Sequence, residues 1–437
     1  MKRSLVTVSV FALALGCGES TGESGPNREP EEVIVDAFNV ALAGSFIPYE
    51  TERRQPIADA IAAHDADILC LQEVWTQEDK ERIRDAAAQA FPHSAFFENN
   101  LDTPVNDPTD QQGEIPPAPT TVPCPDESFG GPMTIKESMD AAIDCVRDNC
   151  STIPDSEEGR TTSAACASAS CTLQVAPLLL GGPPGQRCYS CVIPQLPTAT
   201  FAEMRATCPT VVNQDLAFGG QNGVMILSRH PLKDTENWVI PGTWNRRSIL
   251  RATVELPNGA ELDTYCNHLT PIFSVPPGEI NTFPYTGQYG DGLAGPDGWQ
   301  AEQELQARKL IDYVASKSSN RPAVILGDMN TGLAFPAEDI VAEGEETFNV
   351  LDAAYTPAYT ADYTPLCTFC STNPVTNPDD DPETASVWID HIFLYNLPQS
   401  AVSSTARIFD QDVVPVEGDM LVPLSDHFGM RSVIVVP

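Results

Sequence analysis

The feature that most constrains this chain is an interruption. From Val33 to Phe97, and again from Asn222 to Val436, short apolar runs alternate with segments whose apolar residues recur at helical spacing. Between Asn99 and Gln221 that alternation stops. The stretch is rich in Pro, Cys, Ser, Thr and Gly, and one helix is expected in it, around Ile135 to Val146. A loop of this length is unusual inside a compact domain unless it carries its own staples. Eight of the 13 cysteines supply them: Cys124, Cys145, Cys150, Cys166, Cys171, Cys188, Cys191 and Cys208. Residues 99–221 are therefore expected to form a disulfide-rich insertion, with a pairing the sequence does not fix. Zinc is the alternative for Cys188-x-x-Cys191 and Cys367-x-x-Cys370, but nearby histidines are lacking. Cys70 and Cys266 fall in apolar strands, where a buried thiol is the default.

Outside the insertion, strands are expected at Val33–Val40, Ile68–Leu71, Ser94–Phe97, Gly223–Ser228, Arg247–Glu255, Glu261–His268, Ala323–Leu326, Val387–Leu394 and Arg431–Val436. Helical spacing marks Ile57 to His64, Gln77 to Ala90 and Ala307 to Val314. Strands outnumber helices, and many are apolar on one face only. Two sheets packed face to face with helices outside would bury such elements.

The N-terminus reads as an export signal over residues 1–17: Lys2 and Arg3, then a largely apolar run from Leu5 to Leu15 that is too short to span a bilayer. Ala14-Leu15-Gly16-Cys17 is similar to a bacterial lipobox, with Ala14 where Leu is usual. Cys17 would then be lipidated, placing the protein at the cell surface or in the periplasm; ordinary secretion is the alternative. Residues 18–32 suit a flexible tether, leaving 33–437 as the folded domain. The formal net charge of -37, from 61 acidic and 24 basic residues, repels nucleic-acid phosphates, and no basic strip stands against it. Nucleic acid is thus the less favoured partner, and no protein partner is expected.

Several polar residues sit where apolar strands end. Glu73 closes Cys70-Leu71-Gln72-Glu73, and His268 closes Asp263-Thr264-Tyr265-Cys266-Asn267-His268. Asp328 and Asn330 follow Ala323-Val324-Ile325-Leu326, two residues apart, so that in extended chain both would face one side. An Asx turn there is locally as good a reading. Asp390 lies within Trp388-Ile389-Asp390-His391-Ile392-Phe393, a costly place for an acid unless it is paired, and a histidine is its natural partner. Asp426 and His427 precede the last strand. Each is weak alone; the ordered set is not.

With Asn39, Gln72-Glu73-Val74, His268, Gly327-Asp328-Met329-Asn330, Asp390 and Ser425-Asp426-His427 in this order, the chain resembles the endonuclease/exonuclease/phosphatase superfamily. The resemblance covers Val33 to Phe97 and Asn222 to Val436. It implies a four-layered α/β/β/α sandwich of two mixed sheets, with a site where strand ends converge. It also implies roles. Glu73, Asn39 and Asp426 would hold Mg2+, with Mn2+ and Ca2+ as alternatives. His427, oriented by Asp390, would be general base; His268 and Asn330 would bind phosphoryl oxygens; Asp328 would position the nucleophile or protonate the leaving group. Asn267, His391 and Met329 depart from the family's common pattern beside these residues, which bears on specificity. Ile47-Pro48-Tyr49, Glu73-Val74-Trp75 followed by Gln77-Glu78-Asp79, and Pro423-Leu424-Ser425-Asp426-His427 look like the neutral sphingomyelinase branch. The expected substrate is a phosphodiester, a phospholipid such as sphingomyelin; a nuclease or phosphomonoesterase, and a non-catalytic binding protein keeping the fold, are the other readings. Phe273, Phe283, Tyr285, Tyr289 and Trp299 mark the segment after His268 as either a small apolar core or a substrate-facing lip.

Overall fold

The computed structural model describes residues 29–106, 122–128, 132–150, 170–196, 198–212, 215–274, 283–287, 289 and 292–437. The export signal, Cys17 and tether residues 18–28 lie outside these, as does Cys166. In chain order the principal strands are β1 (Glu31–Leu42), β2 (Ile68–Val74), β3 (His93–Ala95), β4 (Met225–Ser228), β5 (Leu232–Ile240), β6 (Arg247–Glu255), β7 (Glu261–His268), β8 (Ala323–Asp328), β9 (Thr356–Pro357), β10 (Asp390–Tyr395), β11 (Val402–Ile408) and β12 (Gly429–Val436). They form two six-stranded sheets, ordered β11-β12-β1-β2-β4-β3 and β9-β10-β8-β7-β6-β5. Each is mixed, with one parallel pair: β1 with β2 in the first, β7 with β8 in the second.

Alternation along the strands sorts residues between two faces. Val33, Val35 and Ala37 of β1, Ile68 and Cys70 of β2, Leu262 and Cys266 of β7, Val324 and Leu326 of β8, and Ile392 and Leu394 of β10 share the core between the sheets. The other parity faces helices. Phe38, Leu69 and Leu71 pack with Ile57 and Ile61 of α1 (Glu50–Ala62) and Ile83 of α2 (Gln77–Ala87). The insertion carries α3 (Ile135–Asn149), α4 (Thr172–Leu180), α5 (Gly182–Val192) and α6 (Phe201–Thr207). On the second sheet, Tyr265, Ile325 and Phe393 pack with Leu310 and Val314 of α7 (Pro296–Ser318) and Leu351 of α8 (Glu345–Ala354). The result is the four-layered sandwich.

The insertion corrects two expectations. Among the described residues it contains three further α-helices beside the expected one; in α5, Pro183 and Pro184 stand in the first turn, where a missing N–H costs nothing. Its described disulfides are Cys124–Cys188, Cys145–Cys171 and Cys191–Cys208. Cys188 and Cys191 thus pair away from each other, whereas Cys367 pairs with Cys370, so neither C-x-x-C holds zinc. Cys70 and Cys266 are not free thiols: they are inner-face residues of facing sheets, their Cα atoms 5.4 Å apart, and they form a disulfide across the core. The ends of the insertion meet where the Asn222 side chain donates to Asn99.

Candidate functional site

The inner apolar stripes run out at one edge of the sandwich, and polar side chains continue them. Asn39 follows Val33, Val35 and Ala37 in parity; His268 follows Leu262 and Cys266; Asp328 follows Val324 and Leu326; Asp390 precedes Ile392 and Leu394. Registry brings them level, His268 opposite Asp328 on β7 and β8, and Asp390 opposite Asp328 on β10 and β8. Glu73 has the parity of Leu69 and Leu71. Its backbone, at φ 59°, leaves the regular strand conformation, and its carboxylate reaches Asn39.

The contacts are close. Asn39 Nδ2 donates to Glu73 Oε1 at 3.1 Å and to Asp328 Oδ2 at 3.0 Å. His268 Nε2 lies 3.4 Å from Asp328 Oδ2, and His427 Nε2 lies 3.8 Å from the same oxygen. On its other side, His427 Nδ1 is 2.8 Å from Asp390 Oδ2. Asp426, beside His427, accepts from Ser425 Oγ, which also donates to the Asn39 carbonyl. Asn330 corrects the simple alternation argument. Its N–H donates to Asp328 Oδ1 in an Asx turn, its φ is 49°, and its Nδ2 donates to the Leu269 carbonyl. It still lines the cavity described below.

Burial and crowding set the protonation states. Burial, then Asp426, raises the Glu73 carboxyl above its ordinary range. Burial, then Asp390, pushes Asp328 up to about 7. Burial, with Arg247 and His427 nearby, holds His268 well below an ordinary histidine. Burial also disfavours the charged form of His427, but Asp390 and Asp328 outweigh it and raise His427 well above the ordinary value. His268 Nδ1 and Asp390 Oδ1 are buried without a partner. Glu73, His268 and Asp328 offer ligand atoms within 4.8 Å of one another, as do Asp328, Asp390 and His427. An oxygen-rich, acid-crowded set of this kind fits a hard divalent cation. Asn39 presents its amide nitrogen to the acids while its Oδ1 accepts from the Ala41 N–H, so it would ligate only after its amide turns over.

Four contributors escaped the sequence reading. Arg247, the first residue of β6, is buried beside Glu73 and Asp328; burial brings its guanidinium down to about 10, and its Nε and Nη1 have no hydrogen-bond partner. Arg53 donates to the carbonyls of Val40, Ala41 and Leu424, tying the end of β1 to the turn before Ser425. Asn373 donates to the carbonyls of Ser425 and Asp426, and Thr376 to that of Asp426. Buried cations run against the usual placement of Arg, and a loop amide carries no periodic signal. His391, a departure from the family pattern, is buried with Nε2 on the Thr331 carbonyl and Nδ1 on the Tyr359 hydroxyl; burial lowers it to about 4, so it is a neutral bracket behind Asn330.

A cavity of about 670 Å³ opens over this cluster. Glu73, Arg247, His268, Asp328, Asn330, Asp426 and His427 form its polar end. Phe46, Trp75, Trp244, Phe273, Phe283 and Trp299 line much of the remainder. The segment after His268 forms the small apolar core: Phe273 and Phe283 pack with Trp244, Tyr285 and Trp299, and both also line the cavity. Residues 99–221 contribute Pro194, Ala217 and Phe218, the last stacked on Trp75 with centroids 4.7 Å apart.

A sequence profile of the Endonuclease/Exonuclease/phosphatase family matches residues 169–427, more than half of the chain. The chain belongs to this family. Over 59 residues it is 41% identical to a putative neutral sphingomyelinase of Drosophila melanogaster, a match spanning 13% of this chain and 13% of that protein. Among solved structures, sphingomyelinase C from Streptomyces griseocarneus superposes with a TM-score of 0.48 at 14% identity, covering 92% of this chain and 99% of that one. A mutant beta toxin of Staphylococcus aureus with bound magnesium ions gives 0.47 at 12% identity, with the same two coverages.

Proposed function

We propose that this endonuclease/exonuclease/phosphatase protein hydrolyses phosphodiesters, with a phospholipid such as sphingomyelin as substrate and a phosphorylated headgroup as product. The observation that carries the reading is the joining of two unlike surfaces in one cavity: a cluster of acids, histidines and Arg247 at one end, and aromatic side chains beside it. The polar end suits a phosphate and the apolar remainder a lipid-bearing substituent.

Glu73 and Asp426, with Asn39 after amide rotation, would hold Mg2+, which when bound offsets negative charge on phosphoryl oxygens. His427 Nε2 faces the cluster while Asp390 fixes Nδ1–H, the arrangement of a general base for an attacking water; the acids that hold a proton on His427 would lose that pull once Mg2+ offsets their charge. Arg247, with two unpartnered nitrogens, and the neutral His268 supply donors for non-bridging oxygens. Asp328, pushed up to about 7, can hold a proton for the leaving oxygen. Export and anchoring through Cys17 complete the reading. The disulfides support an oxidising compartment, and a zwitterionic lipid surface suits a chain of net charge -37 better than nucleic acid does.

The test is hydrolysis by the purified chain of sphingomyelin, duplex and single-stranded DNA, and bis(p-nitrophenyl) phosphate, with Mg2+ and with chelator. Mg2+-dependent release of a phosphorylated headgroup, lost in Glu73→Ala and in His427→Ala, is expected. Preferential cleavage of DNA would replace the lipid reading with a nuclease. Inactivity on every diester would leave a binding protein.

A further inference from the structure

The pair formed by Asp390 and His427 crosses a boundary in the fold. Asp390 opens β10 in the second sheet, whereas His427 stands two residues before β12 in the first. Strand pairing within a sheet therefore does not set one against the other, and their 2.8 Å contact needs an element that holds both strand ends. One segment does so. Residues 358–385 form no helix or strand among the described residues, yet Thr368 and Phe369 in their midst bond to both sides of the gap. An irregular stretch of that length is uncommon in a compact domain without a functional reason.

Thr368 is fully buried. Its Oγ1 accepts the N–H groups of Ile389 and Asp390, each at 3.1 Å, and its carbonyl accepts the N–H of Phe428 at 2.7 Å. Phe369 pairs through its backbone with Val387 on one side and His427 on the other, and its ring meets the imidazole edge-on with centroids 5.2 Å apart. Asn373 donates its own N–H to the Cys370 carbonyl while its side chain donates to the carbonyls of Ser425 and Asp426. The Cys367–Cys370 disulfide closes a ring around Thr368 and Phe369, and Arg407 of β11 donates to the Cys367 carbonyl at 3.1 Å while lying over the Phe428 ring. Closing a loop with a sequence separation of 3 removes little entropy from the unfolded chain, so the bond acts on local geometry more than on global stability. Geometry matters here, because a base displaced by about 1 Å can cost ~100-fold in rate.

Resting on the phosphodiesterase reading above, we infer that the Cys367–Cys370 ring is a clamp that positions the general base, with Thr368 holding the strand end of Asp390 and Phe369 holding His427. The two sulfurs are positioning groups: they act on the base only through the residues they enclose.

Three variants of the full chain test this: the double substitution Cys367→Ser with Cys370→Ser, Thr368→Val and Thr368→Ser. Opening the ring, or exchanging the Thr368 hydroxyl for a methyl group, should lower kcat on bis(p-nitrophenyl) phosphate about ten-fold with KM nearly unchanged, whereas Thr368→Ser, which keeps the hydroxyl, should retain most of the rate. Thermal unfolding reports whether each variant is folded. Proton NMR supplies a readout that needs no activity. The His427 Nδ1–H bonded to Asp390 should give a downfield imidazole resonance that is absent in His427→Ala, persists in Thr368→Ser and is lost to solvent exchange in the other two variants. An unchanged kcat and resonance in the folded ring-opened protein, or equal losses in Thr368→Ser and Thr368→Val, would overturn the clamp while leaving the phosphodiesterase standing. A wild type inactive on every diester, whose resonance still follows the expected pattern, would remove the phosphodiesterase reading and keep the clamp.

Discussion

The sandwich and the insertion share a cavity but are held together by different physics. Between the sheets, inner-face residues from strands far apart in sequence form one continuous apolar core, crossed by a single described disulfide, Cys70–Cys266. Among the described residues, the insertion's main cluster of buried hydrophobics has ten members, of which Cys124, Cys188, Cys191 and Cys208 are four. Covalent closure there substitutes for apolar area that a small subdomain lacks. The catalytic candidates Glu73, His268, Asp328, Asp390 and His427 all stand on the sandwich, and among the described residues the insertion brings only Pro194, Ala217 and Phe218 to the cavity. Chemistry should therefore respond to one region, and the fit of substrate to the other.

The largest effect lies on the sandwich side. His427→Ala should lower kcat by about a thousand-fold or more on every diester, lipid or not, with little change in thermal unfolding, since removing a positioned general base costs about 10²–10⁴. A loss confined to lipid substrates would show that the two regions do not divide the work in this way. The next effect belongs to the insertion. Breaking Cys124–Cys188, which closes a sequence separation of 64, by double substitution to Ser should destabilise that region by about 4 kcal/mol. Limited proteolysis should then cut within residues 122–212 before the sandwich opens, and bis(p-nitrophenyl) phosphate hydrolysis should survive. Simultaneous loss of both would mean that the insertion and the sandwich unfold as one unit.

The seam between the two regions carries a pH signature. Lys80 on α2 is buried and donates to the Asn222 carbonyl where the insertion rejoins the sandwich, and burial lowers its ammonium to about 8. An unfolded lysine titrates near ~10.4, so the unfolded chain holds the extra proton between these values. The penalty is full below about pH 8, and stability should rise across the window up to about pH 10 by on the order of 3 kcal/mol from this group. Lys80→Met should flatten that rise in chemical-denaturation midpoints measured from pH 7 to 10. An equally steep rise in the variant would assign the effect elsewhere.

The same contrast explains what the sequence disclosed. β6 and β7 were readable to their end residues because Ile249-Leu250, Val254, Leu262 and Tyr265-Cys266 recur along them, although their burial on both faces also covers Ser248, Thr253, Asp263 and Thr264, and Asp328 and Asp390 stood out because they stand beside apolar runs. The helix α7 was readable only from Ala307 onward. Its first half buries Glu302, Gln303 and Gln306, which brace the Thr270 and Asn330 loops and blur the apolar period. The edge strands β5 and β11 were missed because they are half exposed and alternate weakly. In the insertion the cysteines were legible as staples but their partners were not, and Pro and Gly, read as loop formers, stand inside α4 and in the first turn of α5. Arg247 and Arg53 left no trace, since only the tertiary fold makes a buried cation necessary.

The smallest prediction is the sharpest about the cavity wall. Phe218 stacks face to face on Trp75, whose indole N–H reaches toward Glu73 Oε2 at 3.4 Å, so the insertion touches the acid cluster through one aromatic pair. An aromatic pair of this kind contributes about 1 kcal/mol beyond its buried area. Phe218→Ala should raise KM for sphingomyelin several-fold while leaving kcat on bis(p-nitrophenyl) phosphate nearly unchanged, because the wall is shortened and Glu73 keeps its bond to Asn39. A matching fall in kcat on the small diester would instead mean that Phe218 fixes Trp75, and through it the Glu73 carboxylate. The insertion would then belong to the catalytic machinery rather than to substrate fit.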